Sequence, residues 1–485
     1  MTIIAQTWKR ICSLPSTLFL VLGLKVIESF ADFIASLNLT LYLSRELGYT
    51  DVEAGIIYGV WGVSTSITGI LLGTTIDRLG VRRSLLIGAS CSLASRLLLA
   101  ATRSRGLACF ALFGLSSVGE AFAIPVLSIA VRQLVKPESL SIAFSLFYMS
   151  MQIGAIVSGV VTDALTAAVG KHALVQLFWL TSATTALYVA IASRYFPRTP
   201  LVAHSTSSIC GREALRTFGE STFRRLVFFS LLLTGSRTVW RHLDVSMPKF
   251  VLRTLGSHAR YGDVYAINPA VVLLTVTAVQ AATAHYDPYD MIVLGTLGAA
   301  LSPLLLYIFE PSYATLGAFM VVLSLGEVLY SPRVYEFSLR LAPRGREGTY
   351  SALASAPLFL IRLVSGASSG ILLARYCGSD DDDADTPSDA TYIRHCQSLW
   401  LVVALGALTT PLGLMLARRC VYTSEVRRRV TGRDASGASD DDEVDGEEKE
   451  EEEDSSSNDD DDDDDDTSRT VVLLPLPTRA TPILL

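Results

Sequence analysis

The chain has 485 residues, of which 50% are hydrophobic and only 18% are charged, and its mean hydropathy is +0.41. A soluble protein of this length carries more charge and interrupts its apolar runs more often, so the composition excludes an ordinary water-soluble domain. The net charge of −7 averages two unlike regions. Residues 434–466 hold 21 acids and one lysine, whereas the rest of the chain holds 39 basic and 26 acidic residues.

Apolar segments long enough to cross a bilayer, which needs about 20 residues per helix, recur along the chain. They predict an all-α integral membrane protein with twelve transmembrane helices, near 17–43, 52–76, 84–102, 106–132, 139–163, 172–195, 224–251, 263–286, 289–309, 312–340, 348–376 and 396–420. The span interiors are rich in Gly, Ala, Ser and Thr, which let neighbouring helices approach closely. We therefore expect these small residues to form helix–helix contacts.

A polar linker at 196–223 separates two groups of six predicted spans. This division predicts an N-terminal six-helix half (1–195), a C-terminal six-helix half (224–420) and an acidic tail (421–485). The tail is expected to be disordered, because its charges repel one another and it has no core to bury. Basic residues concentrate in alternate loops, which by the positive-inside rule predicts that both termini are cytoplasmic. Both a plasma membrane and an internal organelle membrane fit.

The turn between spans 2 and 3 reads GTTIDRLGVRR, at 73–83. It resembles the major facilitator superfamily signature G-x-x-x-D-R-x-G-x-[RK]-[RK], here formed by Gly73, Asp77, Arg78, Gly80, Arg82 and Arg83. The resemblance implies two related six-helix halves that work by alternating access, with Asp77 closing the cytoplasmic side against the start of span 11, near Gly348. An anion is independently favoured at a helix N-terminus, and Gly80 permits a tight turn. The arginines are equally consistent with a topology signal alone.

Charged side chains inside a membrane are costly, so each is a candidate functional residue. Span 1 places three of them at spacings of three and four, and therefore on one helical face. Spans 4, 7 and 10 also carry interior acids. The predicted set for solute binding or proton coupling is Lys25, Glu28, Asp32, Glu120, Arg237, Asp244 and Glu327. Span 3 adds Arg96. Structural ion pairs between helices or interface positions remain an alternative for Glu28, Glu120 and Glu327, and they are equally consistent for Arg241, Arg333, Glu336 and Arg362.

The stretches at 26–61, 265–274 and 326–332 resemble the proton-dependent oligopeptide transporter family. The resemblance implies that Glu327, in GEVLYSP, is a substrate or charge-pair residue. The family motif in span 1 is E-x-x-E-R-F-x-Y-Y, and this chain departs from it with Lys25 in place of the first acid and Ser29 in place of the arginine. These departures argue against recognition of peptide termini, whereas Glu28 is still able to carry a proton.

Together these observations predict a secondary active transporter, and specifically a proton-coupled symporter of a small polar solute such as a peptide-like molecule, an amino acid or an anion. One alternative is a facilitator or antiporter of another small molecule. A second is a non-transporting, transporter-like scaffold or receptor that signals through its acidic tail. In that case a cytoplasmic partner or an acidophilic kinase would act on the tail serines, Ser439, Ser456 and Ser457.

Other signals are few. Cys377 and Cys396 bracket a predicted external loop, where they could form a disulfide or remain two thiols at helix ends. The remaining cysteines show no metal-ligand spacing, and no glycine-rich phosphate-binding loop occurs. We therefore expect no enzyme activity, no cofactor, no metal site and no nucleic-acid partner.

Overall fold

The computed structural model describes residues 14–136, 139–197, 220–283, 285–341, 347–378 and 390–423, and these residues are almost entirely helical. The helices in chain order are α1 (Ser16–Arg45), α2 (Asp51–Leu79), α3 (Val81–Ala101), α4 (Arg105–Leu134), α5 (Leu140–Val169), α6 (Ala173–Tyr195), α7 in three pieces, α8 (Tyr261–Ala282), α9 (Pro288–Ile308), α10 (Tyr313–Leu341), α11 (Glu347–Tyr376), α12 (Ala390–Leu416) and α13 (Arg418–Val421). Residues 198–219 of the central linker, the acidic tail from residue 424 onward and the three tail serines lie outside the described residues.

Eight helices are long and apolar enough to cross a membrane, counted over the described residues alone. They are α3, α4, α5, α6, α8, α9, α10 and α12. The other four predicted spans coincide with α1, α2, α7 and α11, which are helical but are not among those eight. Helix α1 carries three interior charges, and α7 is interrupted. The total of twelve transmembrane helices stays a prediction.

Helix α7 differs from the single span expected over 224–251. It runs as α7a (Ser221–Leu232), α7b (Thr234–Val245) and α7c (Met247–Leu255). The second break falls just before Pro248, which lacks a backbone N–H and clashes with the preceding helical turn. Helix α9 breaks for the same reason, one residue before Pro303.

Helix α4 contains a six-residue π-helical stretch, Ala111–Ser116. Ser117 fixes this stretch, because its hydroxyl donates to the carbonyl of Leu112, five residues earlier, at 3.1 Å. Such wide turns are frequently found at functional sites. The stretch directly precedes the turn of α4 that carries Glu120, one of the predicted site residues.

The helices pack as two groups, which meet along a small number of helix pairs. Helices α1–α6 pack with one another (the first group), as do α7–α12 (the second group). Contacts between the groups are most extensive for α2 with α11 and for α5 with α8, and α1 adds contacts to α7b and α7c. The predicted domain limits at 195 and 224 flank the undescribed linker and remain predictions.

Glycines line both of the major contacts between the groups, which we call the glycine seams. In the α2–α11 seam a Cβ on Gly55 would collide with the carbonyl oxygen of Gly366, and the reverse is also true. In the α5–α8 seam Gly159 and Gly262 face each other in the same way. The paired backbones are therefore in direct contact, which is the close approach that small residues allow in membrane helices.

Both seams lie toward the end of the molecule that carries the α1–α2 and α7–α8 loops, which we call the joined end. There the Tyr261 hydroxyl donates to Asn38 at 2.6 Å, and Asp51 pairs with Lys249 at 2.5 Å and with Arg253 at 2.9 Å. One hydrophobic core runs through both groups, whereas a second core lies within the first group at the opposite end. The described contacts thus hold the groups together at the joined end.

We expect Gly55→Ala to lower the free energy of unfolding by about 1–3 kcal/mol, because its Cβ overpacks the contact between α2 and α11. The measurement is thermal unfolding of the detergent-purified protein. Gly69→Ala on the same helix is the matched control, since a Cβ there meets nothing within 4 Å and alanine favours the helix. Equal stability of the two variants would contradict the packing of the seam.

Candidate functional site

The predicted charges of the first group gather around Arg96 of α3. The Arg96 guanidinium pairs with Asp32 of α1 and donates to the Thr185 hydroxyl of α6. One turn earlier on α1, Lys25 pairs with Glu28 at 2.9 Å. The second carboxylate oxygen of Glu28 is buried and has no hydrogen-bond partner among the described residues. Two adjacent ion pairs therefore lie on one face of α1, as the spacing predicts.

Two small cavities flank Arg96, each of about 30 Å³, which is room for a water-sized species. Glu28 lines the first cavity, and Asp32 and Glu120 line both. Ser92 of α3 also lines both cavities. Three carboxylates from α1 and α4 thus line the same cavity inside the first group.

Glu120 connects this space to the second group. Its carboxylate lies 3.4 Å from Nη1 of Arg362 on α11 and accepts a hydrogen bond from the Thr65 hydroxyl, also at 3.4 Å. The Arg362 guanidinium lies over the ring of Trp61, 5.6 Å from its centroid, which is a cation–π arrangement. Charge-assisted hydrogen bonds are commonly about 2.7–2.9 Å long. The Glu120–Arg362 pair is therefore loose, and both partners retain capacity for another ligand.

Asp244 of α7b is a further acid close enough to interact with Arg362. It accepts a hydrogen bond from the Tyr58 hydroxyl of α2 at 3.0 Å, pairs with Arg241 at 3.5 Å and interacts electrostatically with Arg362. We call the set of four ion pairs the charge row: Lys25–Glu28, Asp32–Arg96, Glu120–Arg362 and Arg241–Asp244. It crosses from the first group to the second.

Glu327 of α10 lies inside the second group. It accepts hydrogen bonds from the Trp240 indole N–H at 3.0 Å and from the Asn268 amide at 3.2 Å. Arg237 interacts electrostatically with Glu327 and lies 6.0 Å from the centroid of the Tyr330 ring. Glu327 is thus held by α7b and α8, beside the charge row but outside it.

The remaining predicted positions are more widely spread. Gly80 has a φ of 74°, so the chain turns directly from α2 into α3. Arg82 donates to the carbonyl of Ser193 on α6 at 2.6 Å, and Arg83 is exposed. The surroundings of Gly73 and the side chains of Asp77, Arg78 and the start of α11 lie outside the described set, so the closing contact expected of Asp77 stays a prediction.

The cysteines at 377 and 396 form a disulfide that ties the end of α11 to α12. Their Cα atoms are 4.5 Å apart, which is within the usual range for this bond. Among the described residues no group of three or more His, Cys, Asp or Glu side chains could hold a metal ion.

Sequence patterns missed several members of this site. Arg96 and Arg362 are visible as interior charges, but their acids lie 64 and 242 residues away in the chain, so no local spacing reveals the pairing. Tyr58 and Trp61 read as ordinary aromatic residues of an apolar helix. Only the approach of α2 to α11 and α7b brings them next to charges.

Comparisons with known proteins identify the family and the fold. The Major Facilitator Superfamily model matches residues 21–366. The uncharacterised MFS-type transporter YttB of Bacillus subtilis (strain 168) is 22% identical over 360 residues, which cover 74% of this chain and 88% of that protein.

Solved structures of proton-dependent oligopeptide transporters share the fold. A structure described for substrate recognition in these transporters has a TM-score of 0.66 at 15% identity and covers 84% of this chain and 99% of its own. A POT family transporter in complex with a thioalcohol-conjugated peptide also has a TM-score of 0.66, at 16% identity, covering 85% of this chain and 99% of its own. With a helical, multi-pass membrane architecture and a family model that matches most of its length, this chain belongs to the major facilitator superfamily.

Proposed function

We propose that the chain is a secondary active transporter that moves a small polar solute by alternating access, as a proton-coupled symporter. The observation that carries the proposal is the charge row, because charged side chains inside a membrane protein are costly and mark solute and ion pathways. One of its pairs, Glu120–Arg362, joins the first group to the second. A scaffold that moves nothing has no need of such charges at this depth. Membership of a transporter superfamily supports the same view.

The solute site is proposed to lie between the groups, at the Glu120–Arg362 pair. Every acid of the charge row already faces a cation, so a charged solute has to exchange with one partner of a pair. Glu120–Arg362 is the pair best suited to this exchange, since it is loose, joins α4 to α11 and has Trp61 alongside. An anionic group on the solute would bind Arg362 and release Glu120 toward Asp32 and Arg96.

The proton site is proposed to be Glu28. One of its oxygens is buried without a hydrogen-bond partner, and Glu28 lines a cavity together with Asp32 and Glu120. A proton on Glu28 would neutralise the carboxylate that pairs with Lys25, and so change the net charge of the charge row. The proton and the solute would in this way act on one electrostatic network.

We also infer the orientation of the bundle. The basic loops favour a cytoplasmic position for both termini, so the joined end, which follows α1 and α7, would face away from the cytoplasm. The described contacts would then close the bundle on that side. The turn that carries Asp77 would lie at the cytoplasmic end, where the superfamily resemblance gives it a closing role against α11.

The deciding experiment is uptake into proteoliposomes, with and without a pH gradient, across peptides, amino acids, nitrate, sugars and nucleosides. Symport requires uptake of at least one solute that rises when protons can flow inward with it. Uptake at the same rate with and without the pH gradient would support a facilitator instead. No uptake of any solute by folded protein would favour the scaffold alternative.

Glu28→Gln is expected to abolish uptake driven by a pH gradient while solute counterflow survives, because glutamine cannot exchange a proton. Glu53→Gln is the matched control. Glu53 forms a capping box with Thr50 at the start of α2, and glutamine serves in that role. Wild-type gradient-driven uptake in Glu28→Gln would rule out this residue as the coupling site.

Arg362→Gln is expected to weaken binding of a solute with an anionic group by about tenfold or more, since hydrogen bonds to charged groups contribute about 1.5–3 kcal/mol. Arg362→Lys keeps the charge and should lose less. Affinity is measured by competition for uptake at equal protein density. If affinity is unchanged in Arg362→Gln, the solute does not bind this guanidinium.

A further inference from the structure

At the joined end, a carboxylate of the first group holds the first turn of a helix of the second. Asp163, near the C-terminal end of α5, is 5% exposed. One of its oxygens accepts the backbone N–H of Gly262 at 2.9 Å and the other accepts that of Asp263 at 2.6 Å. These N–H groups belong to the first turn of α8, where no carbonyl of the helix can accept them. The α8 dipole also favours an anion at this position.

The α5–α8 seam is what lets Asp163 reach α8. A Cβ on Gly262 would lie 2.9 Å from Oδ1 of Asp163 and would collide with the carbonyl of Gly159. The side chain of Asp263 turns away and pairs with Arg260 at 2.5 Å. Both oxygens of Asp163 are therefore committed to backbone N–H groups of the other helix group. When α5 and α8 separate, both bonds are lost together.

Asp163 lies at the opposite end of the bundle from Asp77. Helix α2 begins at Asp51, in the joined end, and Asp77 lies 26 residues further along it, or roughly 39 Å at 1.5 Å per residue. The superfamily resemblance gives Asp77 a contact with the N-terminal end of α11. Each end of the bundle then has one acid of the first group directed at the N-terminus of a helix of the second.

We propose that Asp163 is a latch residue that keeps the joined end closed, and that release of its two hydrogen bonds to α8 accompanies opening of that end. Its role in transport rests on the proposed alternating-access function. The latch itself can be measured without solute or proton gradient, so the two ideas can fail separately.

The test uses purified full-length protein and two pairs of spin labels. Val169→Cys with Ser257→Cys reports on the joined end, and Tyr195→Cys with Tyr286→Cys reports on the opposite end. Each pair is placed in a background that keeps Cys377 and Cys396 and lacks the other five cysteines. All four labelled positions are exposed.

Asp163→Ala is expected to raise the open-to-closed ratio at the joined end by about tenfold, as loss of a hydrogen bond to a charged group implies. Distances should lengthen at the joined end and shorten at the opposite end. Hydrogen exchange of the 261–266 peptide should accelerate by a similar factor. A merely structural defect would broaden the distances at both ends alike.

Two further variants keep the test decisive. Asp163→Asn retains one acceptor oxygen and should give a smaller shift in the same direction, and it replaces Asp163→Ala if that variant does not fold. Asp263→Asn is the control, since it removes a neighbouring negative charge and leaves the backbone N–H in place. Parental distances and parental exchange in both Asp163 variants would overturn the latch. If the Asp163 variants shift the distances and the exchange as expected but the protein takes up no solute, the latch stands and its role in transport is overturned.

Discussion

Direct backbone contact along the two glycine seams is the constraint on which the rest of the structure depends. Because α2 and α11 touch without intervening side chains, Arg362 of α11 can lie across α2 and reach Glu120 of α4. Gly62 makes this crossing feasible, since a side chain there would occupy the volume of the aliphatic part of Arg362. The seams therefore decide which charges meet, as well as how closely the two helix groups pack.

The charges that meet in this way are balanced across helices. Asp32 and Arg96 join α1 to α3, Glu120 and Arg362 join α4 to α11, and the Tyr58 hydroxyl joins α2 to Asp244. A buried charge without its partner is far more costly than a pair, so these contacts restrain the relative positions of the helices. A movement that separates α4 from α11 has to break the Glu120–Arg362 pair, and one that separates α2 from α7b has to break the Tyr58–Asp244 hydrogen bond.

The positions of most helices can be predicted from the sequence, because a bilayer requires long apolar segments to cross it. Apolar length locates the helices, and small residues such as Gly159 and Gly366 correctly indicate contact faces. The second break in α7 and the break in α9 could also have been found, since Pro248 and Pro303 follow them within two residues. The pairing of Arg96 with Asp32 and of Arg362 with Glu120 could not have been found from the sequence. It depends on helices far apart in the chain, and each of these charges has several partners of suitable sign.

The interruption of α7 divides that helix between two neighbourhoods. Helix α7b packs on α11 and α12, whereas α7c carries Lys249 and Arg253, which are bound to Asp51 of α2. The junction at Ser246, where the hydroxyl meets Nδ1 of His242 at 2.8 Å, lies between these two attachments. Pro248 thus places the junction between the segment of α7 that packs on α11 and α12 and the segment whose two cations bind a carboxylate of the first group.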